Sequence, residues 1–235
     1  MWQSVVNGQT LKFHLAGINN QNFIMRDEET GSWWQQITGE GIQGKLKGQK
    51  LQYVDSDEVS FGVWKRENPN GSVLRPDDKI AAEQEYETAD WEKQVGKMRV
   101  TTSAKLDNSL EPRALIVGIT INKEAKAYPF STIEQQNPIL DIIGGTDIVV
   151  FLADDKKSVR AFERTVDGRK LEFLAKPDTN EIVDAETGSS WDFTGRALSG
   201  GLAGKQLKQV QVLKDYWFDW KTYHPETQLY TLGNR

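Results

Sequence analysis

Residues 27–34 read DEETGSWW, and residues 184–191 read DAETGSSW. The box returns at an offset of 157 residues, and its surroundings return with it. Upstream, Val6, Gly8 and Phe13 match Val166, Gly168 and Phe173 at an offset of 160. Downstream, Gly39, Gly44, Gly48, Leu51, Trp64 and Pro69 match Gly195, Gly200, Gly204, Leu207, Trp220 and Pro225 at 156. Two small deletions account for the whole drift. An ordered series of Gly, Trp and Pro matches from residue 6 to residue 69 is an internal duplication, and it decides the architecture.

The box itself reads as a tight turn between two strands. Asp27 and Glu28 open the turn, and Gly31 supplies the positive φ that a bulged hairpin wants. Before it, VNGQTLKFHLAG reads as a hairpin turn and a strand, with Leu11, Phe13 and Leu15 on one side and Lys12 and His14 on the other. After it, the spaced glycines of TGEGIQGKLKGQKL favour β-corners over helix. VSFGVWKRENPNGSVL then predicts a short helix on which Val59, Val63 and Trp64 share a face. Pro69–Asn70–Gly71 stops that helix before a last strand.

Residues 113–165 have no upstream counterpart. RALIVGITINKEAKAYPF predicts two strands around Asn122–Lys123, and Ser131 is placed to cap a helix running to about Gln136. Ile148 to Leu152 is apolar without alternation, as a strand covered on both faces should be. An Asp167–Gly168 hairpin turn leads into the second copy.

The expected fold is therefore mainly β: short antiparallel strands with a few peripheral short helices, internally duplicated. Residues 1–75 form the first copy, as a C-terminal half-unit only, and residues 113–235 form a second, complete unit. Residues 76–112 are an acidic helical connector, with a helix start at Pro76 and acids at Glu83, Glu85, Glu87 and Asp90. It reads either as a solvated helix and linker or as a docking site for a basic partner.

With 37% hydrophobic and 27% charged residues in 235, the chain is a globular protein and not a disordered one. A net charge of −5 with scattered basic residues argues against nucleic acid. No apolar run reaches the roughly 20 residues of a transmembrane segment, and MWQSVVNGQT is no signal peptide. The absence of cysteine removes thiolate chemistry, leaving His14 and His224 as the only imidazoles.

Two constellations are candidate sites. Trp33 is the box tryptophan without a counterpart, since Ser190 replaces it, whereas Trp34 repeats as Trp191 and is the expected core residue. An outward Trp33 beside Asn20, Gln35 and Gln36 would make a platform for a sugar or peptide, the ring stacking and the amides orienting. Ordinary half-buried packing is the competing reading. Asp27, Glu28 and Glu29 bunch oxygen ligands on one loop and could hold a divalent cation such as calcium, although acidic hairpin turns also arise from solvation alone. No cofactor is otherwise expected. The aromatic run Tyr216, Trp217, Phe218, Trp220 and Tyr223 reads as a helix face docking on a sheet. Neither histidine has the orienting partner that nucleophilic or general-base catalysis requires, and at a helix end His224 would favour the dipole as a cation.

The D-x-E-T-G-S-x-W box, the T-G…G-x-L-x-G-x-x-L box that follows it and the closing W-K-x-x-x-P resemble the bacterial domain of unknown function 3179 family. The run GITINKEAKAYPF…DIIGGTDIVVF…AFER is similar to that family's first half. The resemblance implies no agreed activity, but it does imply an extracytoplasmic bacterial protein: periplasmic, secreted or lipoprotein-derived. Many members carry a C-P-x-C motif just after the apolar strand; here Ala153 and Lys156 stand where its cysteines would fall. The resemblance further implies that the first copy's matching first half would lie upstream of Met1, unless the half-unit packs onto the second. The leading expectation is a non-catalytic binding or structural protein with an unknown protein, small-molecule or glycan partner. The alternatives are an enzyme or metal/thiol redox protein whose active groups lie upstream of Met1, and a carbohydrate-binding module built on Trp33.

Overall fold

The computed structural model describes residues 1–74, 90–102, 104–176 and 181–233, excepting the side chains of residues 91 and 92. The first copy opens with the hairpin β1 (Val5–Val6) and β2 (Gln9–Thr10), turning on Asn7 and Gly8, both at positive φ. A four-stranded antiparallel sheet follows, β3 (Phe13–Asn19), β4 (Asn22–Asp27), β5 (Trp33–Gln35) and β6 (Gly41–Gln43), in chain order. Helix α1 (Phe61–Glu67) is capped by Ser60, whose side chain accepts from the Val63 amide. Helix α2 (Trp91–Val95) lies in the described part of the connector, and the helix expected from Pro76 lies outside the described residues with Glu83, Glu85 and Glu87.

The unduplicated half comprises β7 (Leu115–Ile121), β8 (Glu124–Pro129), α3 (Phe130–Gln135), β9 (Ile139–Ile143), β10 (Thr146–Leu152) and β11 (Val159–Glu163). The second copy repeats the first. A hairpin, β12 (Thr165–Val166) and β13 (Arg169–Lys170), leads to the sheet β14 (Phe173–Ala175), β15 (Ile182–Asp184), β16 (Ser190–Trp191) and β17 (Ala197–Ser199). β18 (Gln209–Val210), β19 (Leu213–Tyr216), α4 (Trp217–Tyr223) and β20 (Gln228–Leu229) close the chain. Among the described strands only the β8–β20 pairing is parallel.

These elements stack in layers. The sheet β20–β8–β7–β19 buries Val117 and Ile119 against Ile148, Val150 and Leu152 of the sheet β9–β10–β11–β18. Val149 and Phe151 leave the other face of β10 toward Phe173 and Trp191 of the second-copy sheet. β10 is thus covered on both sides, which is why its sequence is apolar without alternation. On the outer face of β7 and β8, Ile116 and Ala127 lie under Trp217 and Trp220 of α4, as the aromatic spacing predicts. The Trp220 ring occupies the place that any side chain at Gly118 would need, so the strand carries no Cβ there.

The first copy has its own core around Trp34, Val6, Leu11 and Leu51, and it packs on the second unit instead of standing apart. The Ser60 amide donates to Ser158 Oγ at 2.9 Å, the Ser56 amide donates to Gln211 at 2.9 Å, and buried Arg160 pairs with Asp57 and Glu67 at 2.6 and 2.7 Å.

Three local expectations need correction. Leu15 lies beside Met25 but outruns the core beneath it, and it is 61% exposed where β3 bulges before Gly17. Ser131 caps nothing: α3 begins one residue earlier, after Pro129, with no side-chain cap. Residues 72–74 after the Pro69 stop form no strand.

Candidate functional site

In the repeated box, the aspartate is the hub. Asp27 is 1% exposed, and its Oδ2 accepts the Trp34 indole N–H at 2.8 Å while the Thr30 amide and hydroxyl donate to the same carboxylate. Asp184 does the same for Trp191, also at 2.8 Å, and for Thr187. Ser32 Oγ, bonded to Thr30, accepts the Leu46 amide, and Ser189 Oγ accepts that of Leu202, so each box also holds the next corner. Gly44 and Gly200, at φ +95° and +87°, bring that corner so close that a Cβ would strike Ser32 or Ser189. Burial works against charge at Asp27 and Asp184, but the indole and threonine donors outweigh it and hold both carboxyls below their ordinary range. Gly39 and Gly195 take positive φ (68° and 79°) at the matching turns.

The acidic turn is therefore a frame. Asp27 points inward to Trp34, and Glu29 turns aside to accept the Lys12 amide at 2.9 Å; Glu28 is exposed. Among the described residues, no group of three or more His, Asp or Glu side chains is placed to hold a metal ion.

The Trp33 constellation is dispersed. Trp33 is half-buried and pairs in register with Arg26 and Gln43. Gln35 shares its face by strand alternation, yet is buried with Nε2 donating to the Tyr223 hydroxyl at 2.7 Å. Gln36 is exposed beyond the strand end, where its carbonyl accepts the Trp2 indole N–H. Asn20 sits in the β3–β4 turn, accepting from Thr102 at 3.1 Å. That turn is about 13 Å along β4 from the position beside Trp33, at the usual rise of roughly 3.3 Å per residue.

What the sequence reading missed lies where Gln35 points. Asp215 on β19 and Asp219 in α4 form a buried carboxyl pair at the junction of the two copies. The Asn22 side-chain amide of β4 donates to Asp219 Oδ1, and Tyr223 stands one helical turn further on. Asp215 Oδ1 accepts the Tyr216 amide at 2.7 Å, while Oδ2 is buried with no hydrogen-bond partner among the described residues. Burial raises both pKa values, and the charge of Asp219 adds to the rise at Asp215; the Asn22 amide tempers it at Asp219. Burial thus favours a protonated carboxyl within the pair. The one sequence signal was Asp219 itself, a carboxylate inside the apolar run YWFDW.

His14 is exposed on its strand. His224 ends α4 with its ring stacked on Trp220, centroids 3.7 Å apart, and burial lowers its pKa. The imidazole is neutral near pH 7, so it does not offset the helix dipole as a cation. Ala153 and Lys156 occupy the β10–β11 turn, closed by the Lys156 amide donating to the Ala153 carbonyl at 3.1 Å. Asp155 accepts from Ser158 there, and with Ser60 these donors overcome burial and depress its pKa. No described helix is long and apolar enough to cross a membrane.

A family model described as a protein of unknown function (DUF3179) matches residues 1–227. No curated protein and no solved structure matches the chain.

Proposed function

We propose, for a chain that belongs to the DUF3179 family, a non-catalytic role as an extracytoplasmic binding or structural protein. One observation carries this reading: the groups with the strongest chemistry are spent on the frame. Asp27 and Asp184 hold indoles, Asp155 holds a turn, Arg160 ties the first copy to the unduplicated half, and Asp219 ties it to the second copy. The two concavities lined by Tyr223–Gln228 with Lys123–Ala125 and by Glu172–Ala175 with Gln136 and Tyr230 include none of them. The extracytoplasmic setting rests on the family resemblance alone.

A second reading, acid–base catalysis, is favoured by one feature, the buried Asp215–Asp219 pair beside Tyr223, whose pKa values burial raises. A turnover screen on ester, phosphate-ester and glycoside probes separates the two, with D215N and D219N run alongside. Rates no higher than buffer support the binding role. Turnover that vanishes in D215N overturns it.

A further inference from the structure

The duplication pairs Phe61 and Trp64 of α1 with Trp217 and Trp220 of α4 at the 156-residue offset. Each helix has two working faces. On one, α4 presents Asp219 and Tyr223 to Asn22 and Gln35 of the other copy. The equivalent face of α1 presents Val63, 1% exposed, and Glu67, which meets Arg160 of the other unit. On that side the helices are alike.

The aromatic faces differ. Trp217 and Trp220 are 1% and 2% exposed beneath the β7–β8 hairpin, the Trp220 ring filling the space left by Gly118. Phe61 is 61% exposed, and its ring stacks on half-buried Trp64 with centroids 5.7 Å apart. Gly71, in the segment after α1, lies against the edge of the Trp64 ring, but among the described residues no strand pair covers Phe61 as β7–β8 cover Trp217. The helix is nonetheless set in place by its Ser60 cap, the Arg66–Asp154 pair and the Glu67–Arg160 pair. A preformed helix with an exposed Phe61 ring stacked on a half-buried Trp64 is a surface shaped to be covered.

We infer that the Phe61–Trp64 face of α1 is a docking surface for a β-hairpin of the β7–β8 kind, supplied by the first half of another unit of this fold. The chemistry follows from the second copy. In the second copy the strand residue under the ring is Gly118, where any Cβ would collide with Trp220, and the docking strand carries a glycine at that register. Apolar neighbours equivalent to Ile116 and Ala127 then cover the two aromatics. This partner deepens the binding role proposed above and rests on it. It fails separately, because ring protection, not turnover, is what its test reads.

The test adds a second copy of residues 113–165 ahead of residue 1 through a flexible Gly/Ser linker, leaving the full chain intact, so that the hairpin is held at high local concentration. Hydroxyl-radical footprinting with mass spectrometry then follows Phe61 and Trp64. Oxidation of Phe61 should fall several-fold, toward the level at Trp217, and Gly118→Val in the added copy alone should restore it. Unchanged oxidation overturns the inference. So does an added segment that gains no strand signal by circular dichroism, since the same two kinds of surface meet in the second copy. In the unextended chain, F61S should leave Tm unmoved; a loss as large as that of W217S would make Phe61 a core residue and overturn the inference as well.

Discussion

Asn22 of β4 gives its side-chain amide to Asp219 of α4, a hydrogen bond between residues 197 positions apart that pins the first copy to the second. Gln35 and Tyr223 make the second stitch at 2.7 Å. Behind Asp219 lies Asp215, and burial of the two carboxyls disfavours a second charge at the joint.

The joint therefore gives stability a sign with pH. Burial raises both folded-state pKa values above the ordinary 3.8. Below that value folded and unfolded chains are both protonated, and the pair's contribution is fully present. Above it the unfolded chain releases protons that the folded chain keeps, so stability falls as pH rises through the raised folded range. D215N removes the titrating group while retaining a donor toward Asp219. Urea melts across that range should slope downward for the parent and flatten for D215N. Equal slopes would mean that the pair keeps no proton in the folded chain over that range.

Asp27 and Asp184 predict the opposite limb. Their pKa values are lowered, so their contribution holds above 3.8 and is lost as pH falls through the depressed folded-state range. Each takes a buried indole N–H, and a hydrogen bond to a charged group contributes about 1.5–3 kcal/mol. W34F and W191F should each lower the unfolding free energy by roughly that amount, because the carboxylate is left in place without its buried donor. Near-equal losses at the two sites would show the duplicated boxes to be energetically equivalent. A loss at one site alone would break the equivalence.

Gly118→Ala tests the contact between β7 and α4. The added methyl meets the Trp220 ring, which must move off Ile116 and Ala127. Overpacking of this kind costs about 1–3 kcal/mol. The expected outcome is a lower Tm with a red shift in tryptophan emission. An unchanged emission maximum would mean that the ring has room the structure does not show.

The parts of this fold legible in the sequence were those decided locally. Gly31 and the Asp167–Gly168 pair take positive φ at the expected turns, and Trp34 and Trp191 are buried where alternation and duplication put them. The continuous run Ile148–Leu152 announced a strand covered on both faces. Long-range pairing was not legible. Nothing near Asn22 or Gln35 names Asp219 or Tyr223 as partner, and the acidity of Asp27–Glu29 reads identically whether Asp27 faces solvent or an indole. Leu15 failed for a related reason: strand alternation gives a side but not how far the core extends beneath it.

Trp33 separates a recognition platform from plain packing. Gln35 is held by Tyr223 and Asn20 by Thr102, while Gln36 lies past the strand end, so none of the three expected amides accompanies the ring. Stacking alone on a half-buried indole gives weak and unselective retention. W33A should change stability by no more than about 1 kcal/mol, as substitutions outside a core usually do. On a glycan array, parent and W33A should be indistinguishable. Selective retention of one glycan by the parent, abolished in W33A and unaffected by Q35A, would establish Trp33 as a binding residue that works without the amides.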